Sequence, residues 1–131
     1  MLIVISYTNP EPIFRQIISQ IKTAITTNDL KAGEKLPSIR EMAGELKVSV
    51  ITVKRAYTEL ESEGLITTRA GLGSFVAEID REKVNEELRS EFSQSFKAVV
   101  ESARAHGIPK RELKQLLEEL LKEEDQKKGS K

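Results

Sequence analysis

Leu36-Pro37-Ser38-Ile39-Arg40-Glu41 and Val48-Ser49-Val50-Ile51-Thr52-Val53-Lys54-Arg55-Ala56-Tyr57, followed by Gly71-Leu72-Gly73-Ser74-Phe75-Val76, decide how this chain folds. Ser38-x-x-Glu41 has the spacing of a capping box, in which the serine hydroxyl accepts from the N3 amide and the glutamate reaches back to the cap. A helix therefore starts at Ser38, with Ile39, Met42, Ala43 and Leu46 turned inward. Lys47-Val48 makes a turn. Ser49 then caps a second helix that runs to about Glu63 and is stopped by Gly64. Its buried stripe is Val53, Ala56, Tyr57 and Leu60, and small Ala43 and Ala56 let the two helices approach closely. Beyond it, Leu65-Ile66-Thr67-Thr68-Arg69 and Ser74-Phe75-Val76-Ala77 read as strands. Ala70-Gly71-Leu72-Gly73 joins them, with glycine supplying positive φ. Two capped helices and a glycine-tipped hairpin are the plan of a winged helix-turn-helix.

Working outward, Pro10-Glu11-Pro12 opens an earlier helix, where proline suits a first turn. Ile13, Ile17, Ile21 and Ile25 recur along it with Ile18 beside them, and it ends near Asn28-Asp29. Leu2-Ile3-Val4-Ile5 is expected as a short β-strand at a sheet edge, and Lys35-Leu36 as a brief strand halted by Pro37. From Asp80 onward, Val84, Leu88, Phe92, Phe96, Val99 and Ala103 share one helical face. Gly107-Ile108-Pro109 breaks that helix. Another follows, with Leu113, Leu116, Leu117, Leu120 and Leu121 on one side. Two such helices without a third partner cannot bury their apolar faces alone. Docking onto a second copy resolves this, with Phe92, Phe96, Val99, Leu113, Leu116, Leu117 and Leu120 as the dimer contacts. The expected fold class is mainly α with a small β-hairpin. Residues 1–78 form the winged helix-turn-helix, 79–125 a helical dimerisation extension, and 126–131 a disordered, charged tail.

Composition narrows the function. In 131 residues, 38% hydrophobic and 32% charged, the chain reads as a folded, soluble protein. It has no cysteine, which removes disulfides and thiolate metal sites and fits a reducing cytoplasm. Its N-terminal apolar run is too short for a membrane span. Lys+Arg and Asp+Glu are both 21, yet Arg40, Lys47, Lys54, Arg55 and Arg69 cluster in the winged segment. Glu118, Glu119, Glu123, Glu124 and Asp125 lie far downstream. Local field, not the sum over the chain, acts on a phosphate. His106, the single histidine, sits at a helix end and reads as a capping residue. With no catalytic triad spacing, P-loop, dinucleotide fingerprint or metal-ligand set, neither an enzyme nor a cofactor is expected.

The arrangement points to double-stranded DNA. Capped by Ser49, the first turn of the second helix presents free amides to a phosphate. Val50, Ile51, Lys54 and Thr58 face away from the buried stripe. Lys54 reaches a guanine edge or a phosphate, and Val50 and Ile51 suit the thymine methyl. Thr52 and Arg55 lie at the flanks, where phosphate contact is expected. Ser38 opens the first of the two helices. Arg40 stands in its first turn against the helix dipole, a placement that suits an external anion. Gly71 and Gly73, with nearby Arg69, let the hairpin approach the minor groove or a phosphate.

These three ordered blocks resemble the DNA-binding domain of the GntR family of bacterial transcription regulators, over about Glu11 to Ala77. The resemblance implies DNA contacts at Arg40, at Ser49, Val50, Ile51, Thr52 and Lys54, and at the wing tip around Ala70, Gly71 and Gly73. Val50 stands where the family often has arginine, and Leu72 where a basic wing residue is common. With only two helices after the wing, the chain looks like the short YtrA-like subgroup, which implies a dimer that represses a transporter operon. The expectation is a homodimeric regulator on an inverted-repeat operator, with a small-molecule effector as a further partner. The alternative is a winged-helix module that docks proteins without binding DNA.

Overall fold

In the computed structural model, which describes residues 1–129, the N-terminal half assembles around fully buried aliphatic side chains. α1 (Ile13–Thr26) buries Ile17, Ile21 and Ile25 completely, α2 (Ile39–Leu46) adds Met42 and Ala43, and α3 (Val50–Ser62) adds Val53, Ala56 and Leu60. α3 packs against both other helices. The Ser38 box forms as the sequence spacing predicts: Ser38 Oγ accepts from the Glu41 amide at 3.0 Å, and the Ser38 amide donates to the Glu41 carboxylate at 3.3 Å. α2 ends with Lys47 at φ 57°, a left-handed conformation uncommon for a side chain with a Cβ. At the end of α3, the Gly64 amide donates to the Glu61 carbonyl and the Leu65 amide to the Leu60 carbonyl, both at 2.9 Å, the paired bonds of a Schellman stop.

Buried Tyr57 locks α3 to the entrance of α2. Its hydroxyl donates to the Pro37 carbonyl at 2.7 Å. Burial, then the nearby Glu41 and Glu45 charges, pushes its pKa far above the ordinary tyrosine value. Lys22 of α1, itself nearly buried, pairs with Glu63 just past α3 at 3.0 Å.

The wing is an antiparallel pair, β1 (Ile66–Arg69) and β2 (Gly73–Val76), with Ile66 opposite Val76 and Arg69 opposite Gly73. Lys35 bridges to Phe75 across the outer edge of β2, and the Leu36 amide donates to the Ser74 carbonyl at 2.9 Å. Gly73 is required here. Its φ is +115°, a conformation that residues with a Cβ rarely adopt.

The expected strand at Leu2-Ile3-Val4-Ile5 does not form. The segment lies extended against α1, and side-chain amides take the place of a neighbouring strand. Gln20 accepts from the Val4 amide at 2.9 Å and donates to the Val4 carbonyl at 2.8 Å. Gln16 does the same for Ser6, at 2.9 and 3.0 Å. Ile3 is buried in the core while Leu2 and Val4 are exposed.

The chain divides into two units, Met1–Arg89 and Ser90–Lys131. The division falls inside α4 (Arg81–Ala105) rather than after residue 78, because Val84 and Leu88 join the core of the first unit. In the second unit, the end of α4 is closed by Gly107 at φ 74°, with the Ile108 amide donating to the Ala103 carbonyl at 2.9 Å. His106 Nδ1 lies 2.7 Å from the Ser102 carbonyl, as a helix-end residue should. α5 (Lys110–Gly129) runs on past the point where a disordered tail was expected to begin, and the last two residues of that expected tail lie outside the described residues. Among the described residues, no helix is long and apolar enough to cross a membrane.

Candidate nucleic-acid interface

The first turn of α3 is built by its cap. Ser49 Oγ accepts from the Thr52 amide at 3.1 Å and lies 2.7 Å from Thr52 Oγ1. Thr52 is thus half-buried and spends its amide, and a share of its hydroxyl, on the cap. The residues that follow the cap stand clear of the protein: Ile51 is 80% exposed and Val50 46%. Exposed Lys54 and Thr58 complete this outward face. Among the described residues Lys54 makes no ion pair, so its charge is available to an incoming anion.

Arg40 is exposed in the first turn of α2. Its neighbour Glu41 is committed to the Ser38 cap, and among the described residues Arg40 has no ion-pair partner. An unpaired guanidinium at a helix start is disfavoured by the dipole and suited to bidentate anion recognition. Ser38 remains exposed and can donate its hydroxyl proton while its oxygen serves the cap.

Arg55 is differently placed. Its guanidinium carbon lies 3.8 Å from the centroid of the Phe14 ring in α1, and its Nε is 3.8 Å from Glu59. Arg69 leans on Phe75 within the wing, 5.1 Å from the ring centroid. Gly71, at φ 77° with open space around it, forms the wing turn beside Leu72, which is 60% exposed. Gly73, at φ 115°, sits at the base of that turn beside the Lys35 side chain. Sequence reasoning missed the Phe14 platform, since no local pattern signals an aromatic ring on α1 lying under an arginine on α3.

The residues expected at a dimer contact all lie in the second unit and are largely uncovered. Phe92 is 69% exposed, Val99 59% and Leu120 51%, with Phe96, Leu116 and Leu117 also exposed and Leu113 half-buried. Phe92 and Phe96 stack on one another with ring centroids 6.0 Å apart. Each of α4 and α5 thus carries exposed large apolar side chains that recur along one helix face.

Comparison with known proteins agrees with this geometry. Residues 14–76 match the family described as bacterial regulatory proteins, gntR family. The chain is 33% identical over 109 residues to the HTH-type transcriptional repressor YtrA of Bacillus subtilis, covering 83% of this chain and 84% of that one. A GntR family transcriptional regulator from Listeria monocytogenes superposes with a TM-score of 0.60 at 32% identity, covering 85% of this chain and 96% of that one. The DNA-binding domain of AraR in complex with its operator ORX1 superposes with a TM-score of 0.50 at 29% identity, covering 56% of this chain and 87% of that one. These relatives are transcription regulators, not enzymes. A capped and protruding α3, an unpaired Arg40, a glycine-turned wing and this kinship converge: the chain belongs to the GntR family, and it is a DNA-binding transcription regulator with a YtrA-type organisation.

Proposed function

We propose that the protein is a homodimeric repressor that binds an inverted-repeat operator, with each α3 entering one major groove. The observation that carries this reading is the uncovered N-terminal tip of α3, with Ile51 80% exposed directly behind the Ser49 cap. Val50, Ile51 and Lys54 then read or border base edges, Ser49 and Thr52 offer the capped turn to a phosphate, and Arg40 and Ser38 grip the backbone beside the groove. Arg55, Arg69 and the wing turn at Gly71 complete the set, with Gly73 holding the wing in shape.

Dimerisation is supported by the apolar surface of α4 and α5, which a second copy covers through Phe92, Phe96, Val99, Leu113, Leu116, Leu117 and Leu120. A two-fold axis through that contact pairs the half-sites, about 34 Å or a multiple apart. Repression follows the character of YtrA, and control of a transporter operon, in the cytoplasm, follows the subgroup resemblance.

Selection of bound sites from a random DNA pool tests the reading. The expected result is an enriched palindrome whose half-sites are about one helical turn apart, or a multiple of it. Enrichment of a single half-site would overturn the dimeric part, and a pool that stays random would overturn operator recognition. With six to ten phosphates contacted, affinity should fall by about 10³–10⁵ between 50 and 200 mM salt.

A further inference from the structure

The outward face of α3 does not end with the residues that follow its cap. Arg55 stands one turn beyond Ile51 on the same face, and its guanidinium lies on the Phe14 ring. The same ring carries a second cation: the guanidinium carbon of Arg15 is 5.3 Å from its centroid. One largely buried aromatic side chain therefore lies under two exposed arginines, one from α1 and one from α3.

Stacking on an aromatic face fixes the plane of a guanidinium and leaves its in-plane N–H donors free. Among the described residues Arg15 has no ion pair, and Arg55 has only Glu59, at 3.8 Å between two solvent-exposed groups. An exposed pair of that length contributes little and yields readily to a better anion. Two cations on one ring without a firm counter-charge make a local positive field suited to an anion. Base edges are met by the N-terminal residues of a recognition helix. A pair placed one turn later, and shared with the neighbouring helix, instead meets the sugar-phosphate backbone.

We propose that Arg15 and Arg55, stacked on Phe14, form a phosphate clamp that grips the DNA backbone flanking each half-site and extends the interface from α3 onto α1. The clamp rests on the DNA-binding reading above. Arg15 supplies a phosphate contact outside the recognition segment, and Phe14 is a positioning residue acting through both arginines.

The test is fluorescence anisotropy of the full chain on its selected operator duplex and on an unrelated duplex, between 50 and 200 mM salt. Arg15→Gln should lower the slope of log affinity against log salt by about 1.8, the share of one phosphate in each of the dimer's two subunits, on both duplexes and without a change in melting temperature. Phe14→Leu should lower the slope as well, and Phe14→Tyr should restore it. A merely structural role for the ring would not move the salt slope. An unchanged slope in Arg15→Gln, or a loss confined to the operator, would overturn the clamp, and a Phe14→Leu variant with the wild-type slope would remove the ring from it. Arg15 is exposed, so its variant decides the question even if Phe14→Leu folds poorly. Failure of the wild-type chain to bind either duplex would instead defeat DNA binding itself. Wild-type binding with an indifferent Arg15→Gln defeats the clamp alone.

Discussion

α1 and α5 carry the same kind of apolar stripe and meet opposite fates. In α1 the isoleucines at 17, 21 and 25 have no exposed surface, whereas in the second unit Leu117 is 41% exposed, Leu120 51% and Phe92 69%. Helical periodicity alone cannot separate them, because spacing fixes which face is apolar and says nothing about what covers it. Within the first unit, α3 packs on α1 and supplies cover. α4 and α5 offer a surface of similar character and leave it open. One stripe makes a fold, and the other is suited to make an assembly.

Five substitutions break or sharpen that contrast. Ile21→Ala should destabilise the chain by about 2–5 kcal/mol in chemical unfolding. Leu117→Ala, measured in dilute solution where the chain is monomeric, should change it by less than about 0.5 kcal/mol. Equal losses would mean that the two stripes are both intramolecular core. Leu117→Glu should leave the unfolding transition of the winged unit in place while light scattering reports monomers and operator affinity falls. A dimer that survives the carboxylate would place the contact elsewhere.

Arg40→Ala should keep both the fold and the assembly and weaken operator binding by about 1.5–3 kcal/mol, or roughly 10–100-fold. A mobility shift equal to wild type would remove Arg40 from the interface. Tyr57→Phe should cost about 1 kcal/mol, the worth of its bond to the Pro37 carbonyl. Because burial raises the native pKa of Tyr57, the unfolded chain loses this proton first as pH climbs. The Tyr57 contribution to stability is therefore complete below about pH 10 and declines above it. The phenylalanine variant should show a shallower decline over that range, by denaturant titration at several pH values.

The sequence made the helix-turn-helix legible because its signals are local. Ser38 and Glu41 cap each other, Ser49 caps α3 and Gly64 ends it, all within a few residues. Long-range features were hidden for the same reason. Leu2-Ile3-Val4-Ile5 has strand composition, yet the amides that satisfy it belong to Gln16 and Gln20, on a helix whose polar face reads as solvated. The boundary inside α4 was masked because Val84 and Leu88 continue the same face as Phe92, although only the first two reach a core. At the proposed interface, the exposure of Lys54 and the placement of Arg40 against the helix dipole were legible in the sequence. The Phe14–Arg55 stack was not, since it joins residues far apart in the chain.

Lys47 sets a trade-off for anyone engineering this regulator. Replacing it with glycine would relieve the left-handed backbone at φ 57°, and a gain of about 1 kcal/mol is expected. The same exchange would delete a cation from the bend between the two signature helices. A hardier variant of this protein would then be a weaker ligand for polyanions, so thermal robustness and nucleic-acid affinity would be tuned against each other at a single codon.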